Sequence, residues 1–348
     1  MRCRNKFGMT PGVIFRMADN FVDGLEVLGN AQQNKYAIGS FNFSTAEILK
    51  AIVLAAKDLS SPIIVSTSGG EAEFIGMREA AALVKAWRAG TKLPIFLNLD
   101  HGKSLKSVKK ALAAGYDMVH FDGAELSYGK NIAETKKVVD FVRDFEKTFD
   151  KKIIVEGELG YLRGSSSLHK EKLEIKQEDL TSPEQVKEFI EKTGVDSLAV
   201  AIGNAHGVFI EGGPARIATP VRGDATSLGE SARHADTGCV GWQGVAGGER
   251  LYLDILEKIK EAVGDKVFLV LHGGSGIPDS DTKKAIKSGI VKININTEMR
   301  VAYKEALEGE IKKNPKETTP YKILEPGLKA VQKVVEKKIK LFGSEGKV

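Results

Sequence analysis

This sequence predicts an α/β fold, a (β/α)8 TIM barrel with an N-terminal extension and a C-terminal helix, on three observations. Short β-branched apolar runs alternate with amphipathic helical patterns eight times along the chain. Most of these runs are apolar at every position, as in Ile63-Ile64-Val65 and Phe268-Leu269-Val270-Leu271, which suits parallel strands covered on both faces. Nearly every run ends in polar residues, and the C-terminal ends of barrel strands are where such folds carry their chemistry. An open doubly wound sheet seldom needs eight such regular repeats.

The strands are expected at 37–43, 62–68, 94–99, 118–122, 153–158, 197–203, 267–272 and 291–296. Helices are expected from Thr45 to Leu59, Ser104 to Ala114, Asn131 to Phe149, Ser182 to Thr193 and Asp279 to Ser288. Ser182-Pro183 is a start signal, and Gly115, Gly194 and Gly289 are stop signals. One barrel accounts for residues 1–348 as a single domain, with an extension of about thirty residues expected to cap the barrel floor and a C-terminal helix near 327–341. Residues 211–250 break the pattern, with nine Gly, no Lys and neither helical nor strand period. A disordered insertion and a mobile lid both fit such a segment.

Apolar residues at 42% and charged residues at 28% exclude a disordered, collagen-like or coiled-coil chain. The net charge of +5 is spread over helices that mix Lys and Glu, so no basic face is offered to nucleic acid. No apolar run reaches the ~18 residues that span a bilayer, so no membrane partner is expected. Arg2, Arg4 and Lys6 are not followed by an apolar segment, so no secretory signal is expected. Cys3 and Cys239 make no disulfide framework, which suits a reducing, cytoplasmic location.

The polar strand ends are Asn42, Ser66 with Ser68, Asn98 with Asp100 and His101, Asp122, Glu156 with Glu158, Asn204 with His206, His272, and Asn294, Asn296 and Thr297. Of six histidines, three stand at strand ends before a glycine: His101, His206 and His272. Three neutral imidazoles meeting at one mouth make the ligand set of a catalytic Zn2+ with an open fourth position, and Glu158 is placed to add a carboxylate. The plainer reading is three hydrogen-bonded barrel histidines. His120, inside the fourth strand, His169, in a polar loop, and His234, in the odd segment, are left out of the ligand set.

Gly273-Gly274-Ser275-Gly276 follows the seventh strand, and Asn294-Ile295-Asn296-Thr297 ends the eighth. Loops at these two places form the usual phosphate site of a barrel, where glycines admit backbone N–H groups and a helix N-terminus adds its positive end. Metal and phosphate in one mouth suit cleavage of a phosphorylated ketose through a metal-stabilised enediolate, with no Schiff-base lysine. Lys292 lies within the last strand, where a covalent role is conceivable but unneeded. Asp100 is either the acid/base at the substrate hydroxyl or only an orienting partner of His101.

These motifs resemble those of the class II, metal-dependent ketose-bisphosphate aldolases. They are Gly39-Ser40-Phe41-Asn42, Leu99-Asp100-His101-Gly102, Glu156-Gly157-Glu158-Leu159-Gly160, Gly203-Asn204-Ala205-His206-Gly207, Leu271-His272-Gly273-Gly274-Ser275-Gly276 and Asn294-Ile295-Asn296-Thr297. The resemblance runs from about Tyr36 to the C-terminus, apart from 211–250. It implies zinc, with other divalent metals as substitutes, on His101, His206 and His272, with Glu158 and Asp122 in the metal site. It implies Asp100 as acid/base and Gly207, Gly273, Gly274, Ser275, Asn294, Thr297 and Ser68 around the substrate phosphates, with Asn42 and Asn296 facing the substrate. The implied substrate is a ketose 1,6-bisphosphate, fructose 1,6-bisphosphate first, split to dihydroxyacetone phosphate and glyceraldehyde 3-phosphate, and the implied assembly is a homodimer or homotetramer.

The chain departs from that pattern in four places. Gly164-Ser165-Ser166-Ser167 stands where the family has a mobile loop with a proton-transferring carboxylate. Thr319-Pro320-Tyr321 replaces an Asp-Pro-Arg whose arginine grips the distal phosphate, Asn296 replaces an Asp, and 211–250 is longer than the usual connection. The first two departures keep a metal-dependent sugar or sugar-phosphate 4-epimerase open as an alternative, and a non-catalytic accessory barrel is the third reading.

Overall fold

The computed structural model describes residues 22–169, 175–209 and 251–348. Ten strands are found there: β1 Ile38–Asn42, β2 Ile63–Thr67, β3 Ile95–Gly102, β4 Met118–Phe121, β5 Ile154–Leu159, β6 Gly164–His169, β7 Ser197–Val200, β8 His206–Phe209, β9 Phe268–Leu271 and β10 Ile290–Ile295. Eight of them close a parallel barrel in the order β1-β10-β9-β7-β5-β4-β3-β2, while β6 and β8 pair in parallel outside it.

Side chains alternate along a strand, so each barrel strand sends one set to the helices and the other into the barrel. The outward set, including Phe41, Val65, Leu97, Val119 and Val155, packs with the helix faces into one large core. The inward set changes character in steps of two residues. Ile38, Ile64, Phe96, Met118 and Ile154 form a lower apolar layer with Val27, Leu28 and Ala31 of the helix Gly24–Gln33, which closes the barrel floor. Ser40, Ser66, Asn98, His120 and Glu156 follow, all buried, with Ser40 Oγ 2.8 Å from Ser66 Oγ and Asn98 Nδ2 donating to Ser66 Oγ at 3.2 Å. Asn42, Ser68, Asp100, Asp122 and Glu158 come last, at the mouth.

Caps set several of the helices. Thr45, Ser104 and Ser182 accept backbone N–H groups at the starts of Ala46–Asp58, Leu105–Ala114 and Pro183–Thr193, and Gly115 and Gly194 end the last two in the left-handed conformation. The C-terminal helix runs over Pro320–Phe342, longer than the sequence suggests, because Pro320 opens it at its first turn. Gly164–Ser167, where the resemblance implies a mobile loop, and His169, expected in a polar loop, belong instead to the strand β6, since β8 supplies parallel partners from Gly164↔His206 to His169↔Phe209. The segment 211–250 lies outside the described residues.

Candidate active site

The mouth is built by one local distortion. Adjacent residues of a strand face opposite ways, yet both Asp100 and His101 reach the mouth. His101 has φ +51°, and the β3–β4 register shifts between Leu99 and Gly102. A left-handed non-glycine residue is strained and needs holding. The His101 N–H donates to Nδ1 of His120 at 3.1 Å, which does so.

His101 and His272 are each turned by a carboxylate. His101 Nδ1 lies 2.7 Å from Asp122 Oδ2, so in the neutral ring Nδ1 carries the hydrogen and Nε2 is bare; burial lowers the pKa of this ring, but Asp100, Asp122 and Glu158 outweigh that and raise it. His272 Nε2 lies 2.7 Å from Glu156 Oε1, so its Nδ1 is bare, and Lys292 Nζ at 2.6 Å from Glu156 Oε2 neutralises that carboxylate. The two bare nitrogens stand 3.1 Å apart. The His206 ring centroid is 4.9 Å from that of His101 and 6.4 Å from that of His272. Burial first, then the neighbouring imidazoles, push His206 down to about 4, and burial likewise lowers His272. Both are neutral donors at neutral pH.

His120, outside the ligand set that the sequence suggests, has its ring 4.7 Å from those of His101 and His272. Asp100, His101, His120 and His272 form one cluster of potential ligands, and His101, Asp122 and Glu158 a second. Parity carried the signal, since His120 is two residues before Asp122 on the inward face. Glu158 Oε2 is buried without a hydrogen-bond partner, 3.6 Å from His101 Nδ1 and 3.0 Å from His120 Nε2 but out of line with it. An orphaned buried carboxylate oxygen and two facing lone pairs fit a divalent cation.

Asp100 accepts hydrogen bonds from Asn42 Nδ2 at 2.9 Å and Asn294 Nδ2 at 3.1 Å. Burial alone would raise its pKa; His101, His120 and His272 outweigh that and hold it well below the usual carboxylate range. It is a carboxylate at neutral pH. Lys292 is fully buried in its ion pair with Glu156, which removes it as an imine former.

One cavity at the mouth is lined by Asn42, Asp100, His101, His206, Gly207, His272, Gly273, Ser275, Asn294, Asn296 and Thr297. Asp122 and Glu158 stand beneath the imidazoles, and Gly274 donates its N–H to Asn294 O at 3.0 Å, tying the β9 and β10 loops together. Gly273 has φ +62°, and a Cβ there would lie 2.1 Å from Ala205 O, so only glycine fits. Asn204 braces the same loops, donating to His272 O at 2.9 Å. Ser68 is engaged in a capping box with Glu71, whose Ser-x-x-Glu spacing reads in sequence as an ordinary helix start.

The sequence profile of the family described as fructose-bisphosphate aldolase class-II matches residues 22–222 and 241–347. This chain belongs to the class II fructose-bisphosphate aldolase family. A fructose-bisphosphate aldolase of Thermus caldophilus is 35% identical over 328 residues, covering 94% of this chain and 99% of the relative. The crystal structure of the YdjI aldolase from Escherichia coli K12 matches with TM-score 0.70 and 29% identity, over 94% of this chain and 99% of that one. A Campylobacter jejuni fructose-bisphosphate aldolase, at 21% identity and TM-score 0.69 over 93% and 94% of the two chains, shows the same fold. This class II aldolase is thus a lyase of a metal-dependent family acting on phosphorylated sugars, and its histidine cluster is where a metal fits. Among its described residues no helix is long and apolar enough to cross a membrane.

Proposed function

We propose that this aldolase is zinc-dependent and splits a phosphorylated ketose into dihydroxyacetone phosphate and an aldehyde. The observation that carries the reading is the pair of bare ring nitrogens of His101 and His272, 3.1 Å apart and each fixed by a carboxylate behind it. His101, His206 and His272 would hold the metal, with Glu158 and Asp122 beside it; when bound, it supplies the positive charge that offsets the electrons released as the carbon–carbon bond breaks.

The chain's own residues do the rest. Asp100 takes the proton from the hydroxyl on the far side of the breaking bond and returns it in the reverse, aldol direction. Asn42 and Asn294 fix both of its oxygens, so the acceptor stays in place. The glycine turn at Gly273 and the first turn of the helix Thr297–Lys313, which has no side-chain cap at Asn296, offer backbone N–H groups to a phosphate. A ketose 1,6-bisphosphate asks for two such anion sites, and this corner supplies one.

Zinc-loaded protein given a panel of ketose phosphates should release dihydroxyacetone phosphate in a coupled assay, and in D2O it should exchange a hydroxymethyl proton of that triose. Absence of both overturns the reading. An epimer formed without free triose would establish the 4-epimerase instead, and a purified chain that binds no zinc would point to the accessory barrel.

A further inference from the structure

The mouth has two polar corners of opposite character. At the ends of β9 and β10 lie the glycine turn Gly273–Gly276 and the start of the helix Thr297–Lys313, where Gly274 N–H is held by Asn294 O and Gly276 N–H by Glu298 Oε1. At the ends of β1 and β2 and the tip of β10, Asn42, Glu71, Asn294 and Asn296 present acceptors. Asn42 gives its amide hydrogens to Asp100 Oδ2 and Glu71 Oε2, each at 2.9 Å. Asn296 Nδ2 donates to Glu71 Oε1 at 3.1 Å and Asn294 Nδ2 to Asp100 Oδ1 at 3.1 Å. These bonds to carboxylates settle which way each amide points. The Oδ1 atoms of Asn42, Asn294 and Asn296 are therefore left buried with no partner, on three residues that line the cavity. Two backbone N–H groups of this corner are engaged within it, Ser68 N–H by Glu71 Oε2 at 2.8 Å and Glu71 N–H by Ser68 Oγ at 3.5 Å.

A phosphate ester at neutral pH brings two negative charges and oxygens that accept; against Glu71, Asp100 and three amide carbonyl oxygens it would meet repulsion and leave the acceptors unpaired. A sugar hydroxyl donates its O–H to such an oxygen. We infer that the part of the substrate beyond the breaking bond ends in hydroxyls and not in phosphate, so that the aldehyde partner is an unphosphorylated polyhydroxy aldehyde and the substrate a ketose 1-phosphate, with Glu71 as a specificity-determining residue. The inference rests on the aldolase reading above and replaces the 1,6-bisphosphate expected from the motifs.

The experiment runs the zinc-loaded full chain in the aldol direction, with dihydroxyacetone phosphate and matched aldehydes: glyceraldehyde against glyceraldehyde 3-phosphate, and erythrose against erythrose 4-phosphate. The expected result is a kcat/KM for the unphosphorylated member at least about ten-fold higher, set by the KM for aldehyde, and a preference narrowed about ten-fold in Glu71→Gln. A wild-type preference for the phosphorylated member, reaction with neither, or an unchanged ratio in Glu71→Gln overturns it. If Glu71→Gln fails to fold, the wild-type ratio and Glu71→Ala decide. Proton exchange of dihydroxyacetone phosphate in D2O without aldehyde separates the two failures: if exchange is lost the aldolase reading falls, and if exchange persists with the wrong preference only this inference falls.

Discussion

The two ends of the barrel are made from the same strands and differ in what they bury. At the floor, Ile38, Ile64, Phe96, Met118 and Ile154 meet Val27, Leu28 and Ala31 and contribute apolar area removed from water. At the mouth, two residues per step further on, the buried groups are His120, Glu156, Asp100 and Glu158. Burying charges costs free energy unless each finds a partner, and Glu158 Oε2, although 3.0 Å from His120 Nε2, has no hydrogen-bond partner. The floor holds the barrel together, and the mouth holds groups that only a ligand completes.

Four substitutions sharpen this contrast. The largest effect is expected from Asp100→Asn, which should lower kcat by ~10²–10⁴, as loss of a general acid/base does, with zinc content by metal analysis unchanged. Zinc lost together with activity would make Asp100 part of the metal site. At the other end, Leu28→Ala should cost ~2–5 kcal/mol in urea unfolding, while zinc affinity and KM stay as in the wild type. A change in zinc affinity there would break the division between floor and mouth. Glu156→Gln, which weakens the hold on His272, should lower zinc affinity by ~10–100-fold in a competition titration with a chelator.

The smallest effect concerns a charge near the floor. Burial would raise the pKa of Asp117, but Lys151, Arg88 and the Leu97 N–H outweigh that and lower it. The Leu97 N–H donates at 2.9 Å, Lys151 Nζ lies at 3.0 Å, and Arg88 bonds the same carboxylate. A carboxylate whose folded pKa lies below its unfolded value of ~3.9 stabilises above that pH, and the benefit disappears as pH falls through the folded value. Asp117→Asn should therefore cost ~1–3 kcal/mol at pH 7, with the gap to wild type closing toward pH 2 in the same unfolding assay. A gap independent of pH would mean that the side chain acts through packing.

Much of this was legible in the chain. The eight barrel strands announce themselves as apolar runs, and Thr45, Ser104 and Ser182 mark helix starts where the structure has them. The polar strand ends are visible because a barrel interior reads out every second residue. What stayed hidden depends on three-dimensional detail. That Asp100 and His101 both face inward follows from a φ of +51°, which no residue type there foretells. His120 looked like a lone histidine in a strand until its parity with Asp122 was matched by the closure of the barrel. Glu71 hides in a capping box, and the serines of β6 read as loop because their pairing partner lies beyond an intervening helix and strand.

The helix under the barrel also governs traffic. With Val27, Leu28 and Ala31 stopping the floor with apolar side chains, the interior offers water and polar solutes no through passage. On the proposed reaction, with the floor closed among the described residues, ketose would enter and triose and aldehyde leave at the mouth, so the two products would depart in turn and the slower one would decide when the next ketose is admitted.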